Sequence, residues 1–326
     1  MNNLKIFGKF LDQPILISKL NKAMPAIMTI GGGAILANNA IDTFKKTENK
    51  TETNKEIFKK GVIMAASIAS ALVAPKIASK LTKREPLETF ETIAKNNQKL
   101  IDEFLEKNPI SQDIKPILQK AKNEVLSLSE IKKLTSELTQ NENGEKLFSE
   151  LIPDPENIKA KDIFSEIGYL SIYGVIPVVG GILGGIGADI LSKEDCKKTM
   201  PDKINEGIYQ YLANIFMCNI GAGVALGVLE KMNITSKTAR AVGMVSGIIL
   251  TGVLGGSKIA NFISKKVIAP LTKSQQKERK PEALDICLHT DDIATVSLLS
   301  GLKWIEPALP ILYSVSGYKA GSGYRN

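Results

Sequence analysis

The side chains in this sequence that could do chemistry stand mostly at the ends of uncharged runs. Asp189 closes a run of 22 residues that begins after Glu166, and Lys258 closes another of 17. Ionisable groups at membrane depth pair with one another, relay protons or line ion paths. At the end of a span, a long side chain instead reaches back to the headgroups. Both readings stand for Asp189 and Lys258, and for Asn38, Asn39 and Asp42 at the end of the first apolar run. Lys303 and Glu306 are three residues apart and would pair on one helical face. They divide the last apolar stretch, and read either as part of a membrane path or as a water-facing pair at the interface.

The single histidine, His289, lies in CLHTDD with Cys287, Asp291 and Asp292. A nucleophile and its base must meet in space with an orienting group, and closeness within a loop does not supply that. The sequence holds no P-loop, GxSxG or HExxH pattern. Its glycine clusters lie inside apolar runs and lack the strand–turn–helix setting of phosphate loops. Cys196, Cys218 and Cys287 form no CxxC pair. No catalytic site, cofactor or metal is expected.

The elements that position these residues are apolar helices. Residues 167–188 are long enough to cross about 30 Å of hydrocarbon as a helix. Ala23–Ile41, 207–229 and 241–257 are further spans, and 61–75 is a short one ended by Pro75 and Lys76. The stretch 293–318 is broken by Lys303, Trp304 and Glu306, with Pro307 and Pro310 after them. Helices broken at membrane depth are tolerated where they line a cavity or lie buried in protein. Small residues recur at helical spacing on several spans: Gly180 and Gly184, Gly223 and Gly227, and Gly243, Gly247 and Gly255. In lipid such ladders let helix backbones approach closely. Tyr169, Tyr209, Tyr211 and Tyr318 near span ends suggest an interfacial belt.

Charge is uneven. The net charge is +8, yet residues 84–166 carry 12 Lys/Arg against 17 Asp/Glu. The basic remainder suits anionic lipid headgroups, and it lacks the interleaved aromatics of a nucleic-acid surface. Residues 84–164 read as a small, acidic, water-exposed helical domain that a protein partner would recognise. Leu87, Phe90, Ile93, Leu100, Ile101, Phe104 and Leu105 form one stripe. Ser111 and Ser129 are candidate caps, Ile114 to Val125 supply a second stripe, and Asn143-Gly144 reads as a stop.

The expected architecture is an all-α polytopic membrane bundle of about six hydrophobic segments with this soluble domain inserted. Residues 1–22 form an interfacial or tail segment, 23–83 segments 1 and 2, and 165–264 segments 3 to 5. A basic loop, 265–292, precedes the broken sixth segment and tail, 293–326. Gly61…Leu72…Lys76-Ile-Ala78 matches Gly243…Leu254…Lys258-Ile-Ala260 at unbroken spacing. That match suggests a 3+3 inverted repeat, as in many secondary transporters. The sequence thus points to an integral membrane protein with a transporter- or channel-like path near its last segment. The alternative is a membrane scaffold or remodelling protein whose ladders only pack and whose acidic domain recruits a partner.

Overall fold

The computed structural model describes residues 3–46, 49–85, 87–153, 159–272, 278–282, 285 and 306–323, and among these it is helical, with no strand. In chain order the helices are α1 (Asn3–Leu11), α2 (Pro14–Lys46), α3 (Lys50–Thr82), α4 (Phe90–Lys107), α5 (Lys115–Ala121) and α6 (Leu128–Leu138). There follow α7 (Glu142–Leu151), α8 (Ala160–Leu191), α9 (Cys196–Lys231), α10 (Thr238–Leu271) and α11 (Leu309–Ser322). They fall into two units. One comprises residues 1–24, 87–158 and 294–308, and the other 25–86, 159–293 and 309–326.

The first unit is built by amphipathic helices that bury one stripe each. Ile101, Leu118, Ile131 and Leu134 are fully buried, with Phe148 and Leu151 around them. Ile6 of α1 lies in the same core, and Gln13 donates from Nε2 to the Leu126 carbonyl at 2.9 Å while its Oε1 accepts the Leu126 N–H. The amino-terminal residues, 1–24, group with this unit. Ser127, not Ser129, caps α6, because Glu130 three residues on completes a capping box. Asn143-Gly144 does not stop a helix but opens α7, capped by Asn141. Glycine is required there because a Cβ would overlap the Leu138 carbonyl.

The second unit holds α3, α8, α9 and α10 and residues 25–46 of α2. Among the described residues, α2, α3, α8, α9 and α10 are each long and apolar enough to cross a bilayer. The run at 61–75, short as an apolar segment, lies inside the 33-residue α3, because the polar residues on either side continue the helix. A helix of that length reaches about 50 Å. Ile30, Leu183, Leu250 and Phe262 stand exposed on these helices, as lipid-facing positions do. The described part of the last segment is a 3-10 turn, Glu306–Ala308, followed by a helix of 14 residues, α11, which packs along α8, α3 and α9.

Charged pairs mark the two ends of this bundle. Arg84 meets Glu166 at 3.2 Å and Arg240 meets Glu230 at 3.1 Å at one end. At the other end, Lys59 and Lys203 meet Asp189. Between the ends, glycines of α8 and α11 meet backbone to backbone. Of the tyrosines expected in a belt, Tyr169 and Tyr209 are buried, whereas Tyr211 and Tyr318 are partly exposed; Tyr173 stacks edge-on with Tyr313 at 5.1 Å.

Candidate functional site

The Asp189 end is where α3 begins, α8 ends, α9 begins and α11 ends, so four helix termini bring their flanking charges together. Asp189 has no exposed surface. Lys203 Nζ lies 2.5 Å from its Oδ2, Lys59 Nζ 2.7 Å from its Oδ1, and Thr199 donates its hydroxyl to Oδ2. Lys59 also pairs with Glu194, which Lys55 meets at 3.1 Å. The Lys59 hydrogen bond holds the Glu194 carboxyl below its usual pKa.

A second cluster adjoins the first. Arg279 Nε donates to Glu206 Oε2 at 2.9 Å and its Nη2 to Asp285 Oδ1 at 3.2 Å. Lys319 Nζ donates to Asp285 at 2.8 Å and to Glu282 at 3.2 Å. Burial opposes the charge on Asp285, but the bonds from Lys319 and from the Glu282 N–H overcome it, and its pKa lies below the ordinary value. The segment carrying Arg279 is tied to α10 by Asn261, which accepts from the Arg279 N–H and donates to its carbonyl, both at 2.9 Å. Arg279 also covers the face of the Tyr209 ring at 4.4 Å.

From this cluster a polar track descends α9 at helical spacing. Gln210 donates to Glu206 at 2.7 Å and Asn214 donates to Gln210 at 2.8 Å, all three buried. Asn214 lies in a π-helical turn, Leu212–Phe216, which packs against a second such stretch in α10, Ile248–Gly256. π turns are rare and recur at functional sites.

The two clusters line one cavity of about 560 Å³. Ten of its fourteen lining residues are charged, five acidic and five basic. Beneath it α8 and α11 meet backbone to backbone. A Cβ on Gly181 would overlap the Gly317 carbonyl, and one on Gly321 would overlap the Gly181 carbonyl.

The residues picked out by sequence divide sharply. Asp189 is central. Asn39 donates to the Tyr318 hydroxyl at 3.0 Å beside the cavity, whereas Asn38 and Asp42 are exposed. Lys258 is exposed, and Asp189 takes Lys203 and Lys59 instead. Glu306 begins a 3-10 turn, Glu306–Ala308, while Lys303, Cys287 and His289 lie outside the described residues.

Among the ladder glycines, Gly180 faces Ser70, Gly184 faces Ala66, Gly223 faces Phe164 and Gly243 faces Leu229. Gly247 meets the Gly221 carbonyl. Gly227 has ordinary contact with Ala160, and Gly255 meets only the Leu250 carbonyl of its own helix.

Sequence reasoning passed over Lys59, Lys203, Glu206, Arg279, Asp285 and Lys319. A signal was present for two of them: Lys59 and Glu206 lie at or next to the last charge before an uncharged run, as Asp189 is the first after one. Fold and site together define an integral membrane protein with a helical bundle and a charged cavity at one end. No protein-family model matches the chain, and no curated protein or solved structure shows significant similarity to it.

Proposed function

We propose that the chain carries a small polar solute across its membrane, with the cavity at the Asp189 end as the loading site. The observation that supports this best is the charged cavity itself, set at the end of an apolar bundle and continued inward by Glu206, Gln210 and Asn214. Ionisable and polar groups are costly in such a place and mark substrate or ion paths.

In this reading α11 is the moving element. It supplies Tyr318, Lys319 and Ser322 to the cavity wall. Below the cavity it rests on α8 through glycines, backbone against backbone. The glycine crossing and the Tyr173–Tyr313 pair close the path, and separation of α11 from α8 would open it. The matched segments 1–3 and 4–6 would then act as inverted halves that alternate access. Exposed Lys258, Lys265 and Lys266 suit anionic headgroups, and the acidic helical unit suits a protein partner.

The glycine crossing favours a second reading, in which the bundle is closed packing and the chain is a scaffold. Light scattering from proteoliposomes challenged with gradients of small polar solutes separates the two. A carrier speeds the volume change for at least one solute class over protein-free vesicles. A scaffold leaves every rate equal to that of the empty vesicles.

A further inference from the structure

The charged residues that line the cavity balance on each side and are paired with one another, and from this we propose that its ligand is a small neutral polyol. This rests on the reading of the cavity as a solute site.

Among the described residues, α3 and the turn after α8 line one side with Lys55, Lys59 and Lys60 against Glu52, Glu56 and Glu194. The other side sets Arg279 and Lys319 against Glu206 and Glu282. Each side sums to zero. The pairs are close: Lys55 meets Glu194 at 3.1 Å, Lys60 meets Glu56 at 3.0 Å, Arg279 meets Glu206 at 2.9 Å and Lys319 meets Glu282 at 3.2 Å. Glu52 is exposed in the first turn of α3, where the helix dipole favours a negative charge. Behind the wall, buried Asp189 and Asp285 take second contacts from Lys59 and Lys319.

A solute of net charge would have to break one of these pairs or lie beside it uncompensated, and at the edge of the hydrocarbon an uncompensated ion is strongly disfavoured. Pairing nevertheless leaves hydrogen-bonding capacity. An ammonium has three donors and a carboxylate about four acceptor sites, whereas Lys59 and Lys319 each meet two carboxylates. The wall is thus a mosaic of donors and acceptors 2.9 to 3.2 Å apart. A hydroxyl donates and accepts at one atom, and its proton rotates to suit. It can accept from the cation and donate to the carboxylate of one pair without altering the charge balance. An ammonium only donates, a carboxylate only accepts, and an amide divides the two between separate atoms. Several hydroxyls on a small skeleton meet several pairs at once. A volume of about 560 Å³ admits a solute of monosaccharide size with its first waters.

The test is equilibrium dialysis of radiolabelled probes against the purified full-length chain in detergent. The probes are glycerol, glucose and galactose, each beside its amino derivative, a cation, and its carboxylic acid derivative, an anion. At least one parent polyol should bind saturably and about tenfold tighter than both of its derivatives. Lys55→Gln and Glu282→Gln alter partly exposed members of the two sides, with side chains 41% and 45% exposed, and so spare the fold. Lys55→Gln leaves its side one charge negative and should shift the preference about fivefold toward the amino derivative. Glu282→Gln leaves the other side one charge positive and should shift it about fivefold toward the acid. Saturable binding by no polyol of the panel, a derivative binding as tightly as its parent, or an order unmoved by either variant would overturn the proposal. Polyol binding without polyol flux in proteoliposomes would overturn the transport reading and leave this one standing. Flux of a net-charged solute without polyol binding would do the reverse.

Discussion

Lys203 reaches Asp189 through the space that Gly185 leaves open. A Cβ on Gly185 would stand 2.6 Å from Lys203 Cε, and the lysine ends 2.5 Å from Asp189 Oδ2. The same missing Cβ lets Gly321 of α11 lie against α8, since one there would overlap the Gly321 carbonyl. One glycine therefore admits both the buried cation and the neighbouring backbone.

Gly185→Ala should lower the melting temperature in detergent, because overpacking a filled site costs about 1–3 kcal/mol. Gly187→Ala is the control. Nothing lies within 4 Å of its added methyl, and alanine favours the helix by up to about 1 kcal/mol over glycine. Equal melting temperatures for the two variants would remove the packing argument.

Gly247→Leu and Gly184→Leu should disturb the bundle more than Leu250→Ala. The first two side chains would enter the Gly221 carbonyl and Ala66, whereas Leu250 is 63% exposed and loses few contacts. Thermal stability of the three variants in one detergent is the measurement, and equal losses would contradict this packing.

Asp189→Asn should be more damaging than its small change in volume suggests. It leaves Lys203, which is 2% exposed, without the charge it faces. Breaking a buried pair from one side costs about 3–5 kcal/mol. Lys59 keeps Glu194, so the double variant Asp189→Asn/Lys203→Met should recover part of the loss. A single variant as stable as the parent would mean that the pair contributes nothing to the fold.

The parts of this arrangement that follow chain periodicity were legible in the sequence. The uncharged runs at 167–188 and 207–229 lie within α8 and α9, and the stripe from Ile93 to Phe104 lies on α4. The site was legible only through Asp189. A charge at a span end looks the same in sequence whether it stays exposed, as Lys258 does, or is buried, as Asp189 is. The choice depends on which helices meet, and Lys59 and Lys203 come from elements 130 and 14 residues away. Tyrosines near span ends carry the same ambiguity: Tyr169 and Tyr209 are buried, with Arg84 and Arg279 over their rings. At the capping sites the error was one of register, since Ser127 and Ser129 are both good caps and only Ser127 has Glu130 at the third position.

The pH response of the cavity wall follows from Glu194. Its folded pKa lies below the ordinary 4.5 because of the bonds from Lys59 and Lys55. A group with a depressed folded pKa stabilises the fold fully above its unfolded value and loses that contribution as pH falls through the folded value. Glu194→Gln should therefore be destabilised relative to the parent at pH 7, with the gap closing as pH falls below 4.5. Melting temperatures across that range decide it, and a gap independent of pH would rule out the ion pair as its source.

The most direct test of the account is which side of the membrane each end of the bundle faces. In a variant with Cys196, Cys218 and Cys287 replaced, single cysteines are placed at Lys193, at Asn233 and at Ser322, in turn. Lys193 follows α8 at the Asp189 end, Asn233 follows α9 at the Glu166 end, and Ser322 lines the cavity. Each is treated in sealed vesicles of one orientation with a membrane-impermeant maleimide, before and after permeabilisation. Lys193→Cys and Ser322→Cys should label from the same face, and Asn233→Cys only from the other. Labelling of Lys193→Cys and Asn233→Cys from one face would contradict the crossing of α9, and Ser322→Cys following Asn233→Cys would contradict a cavity open at the Asp189 end.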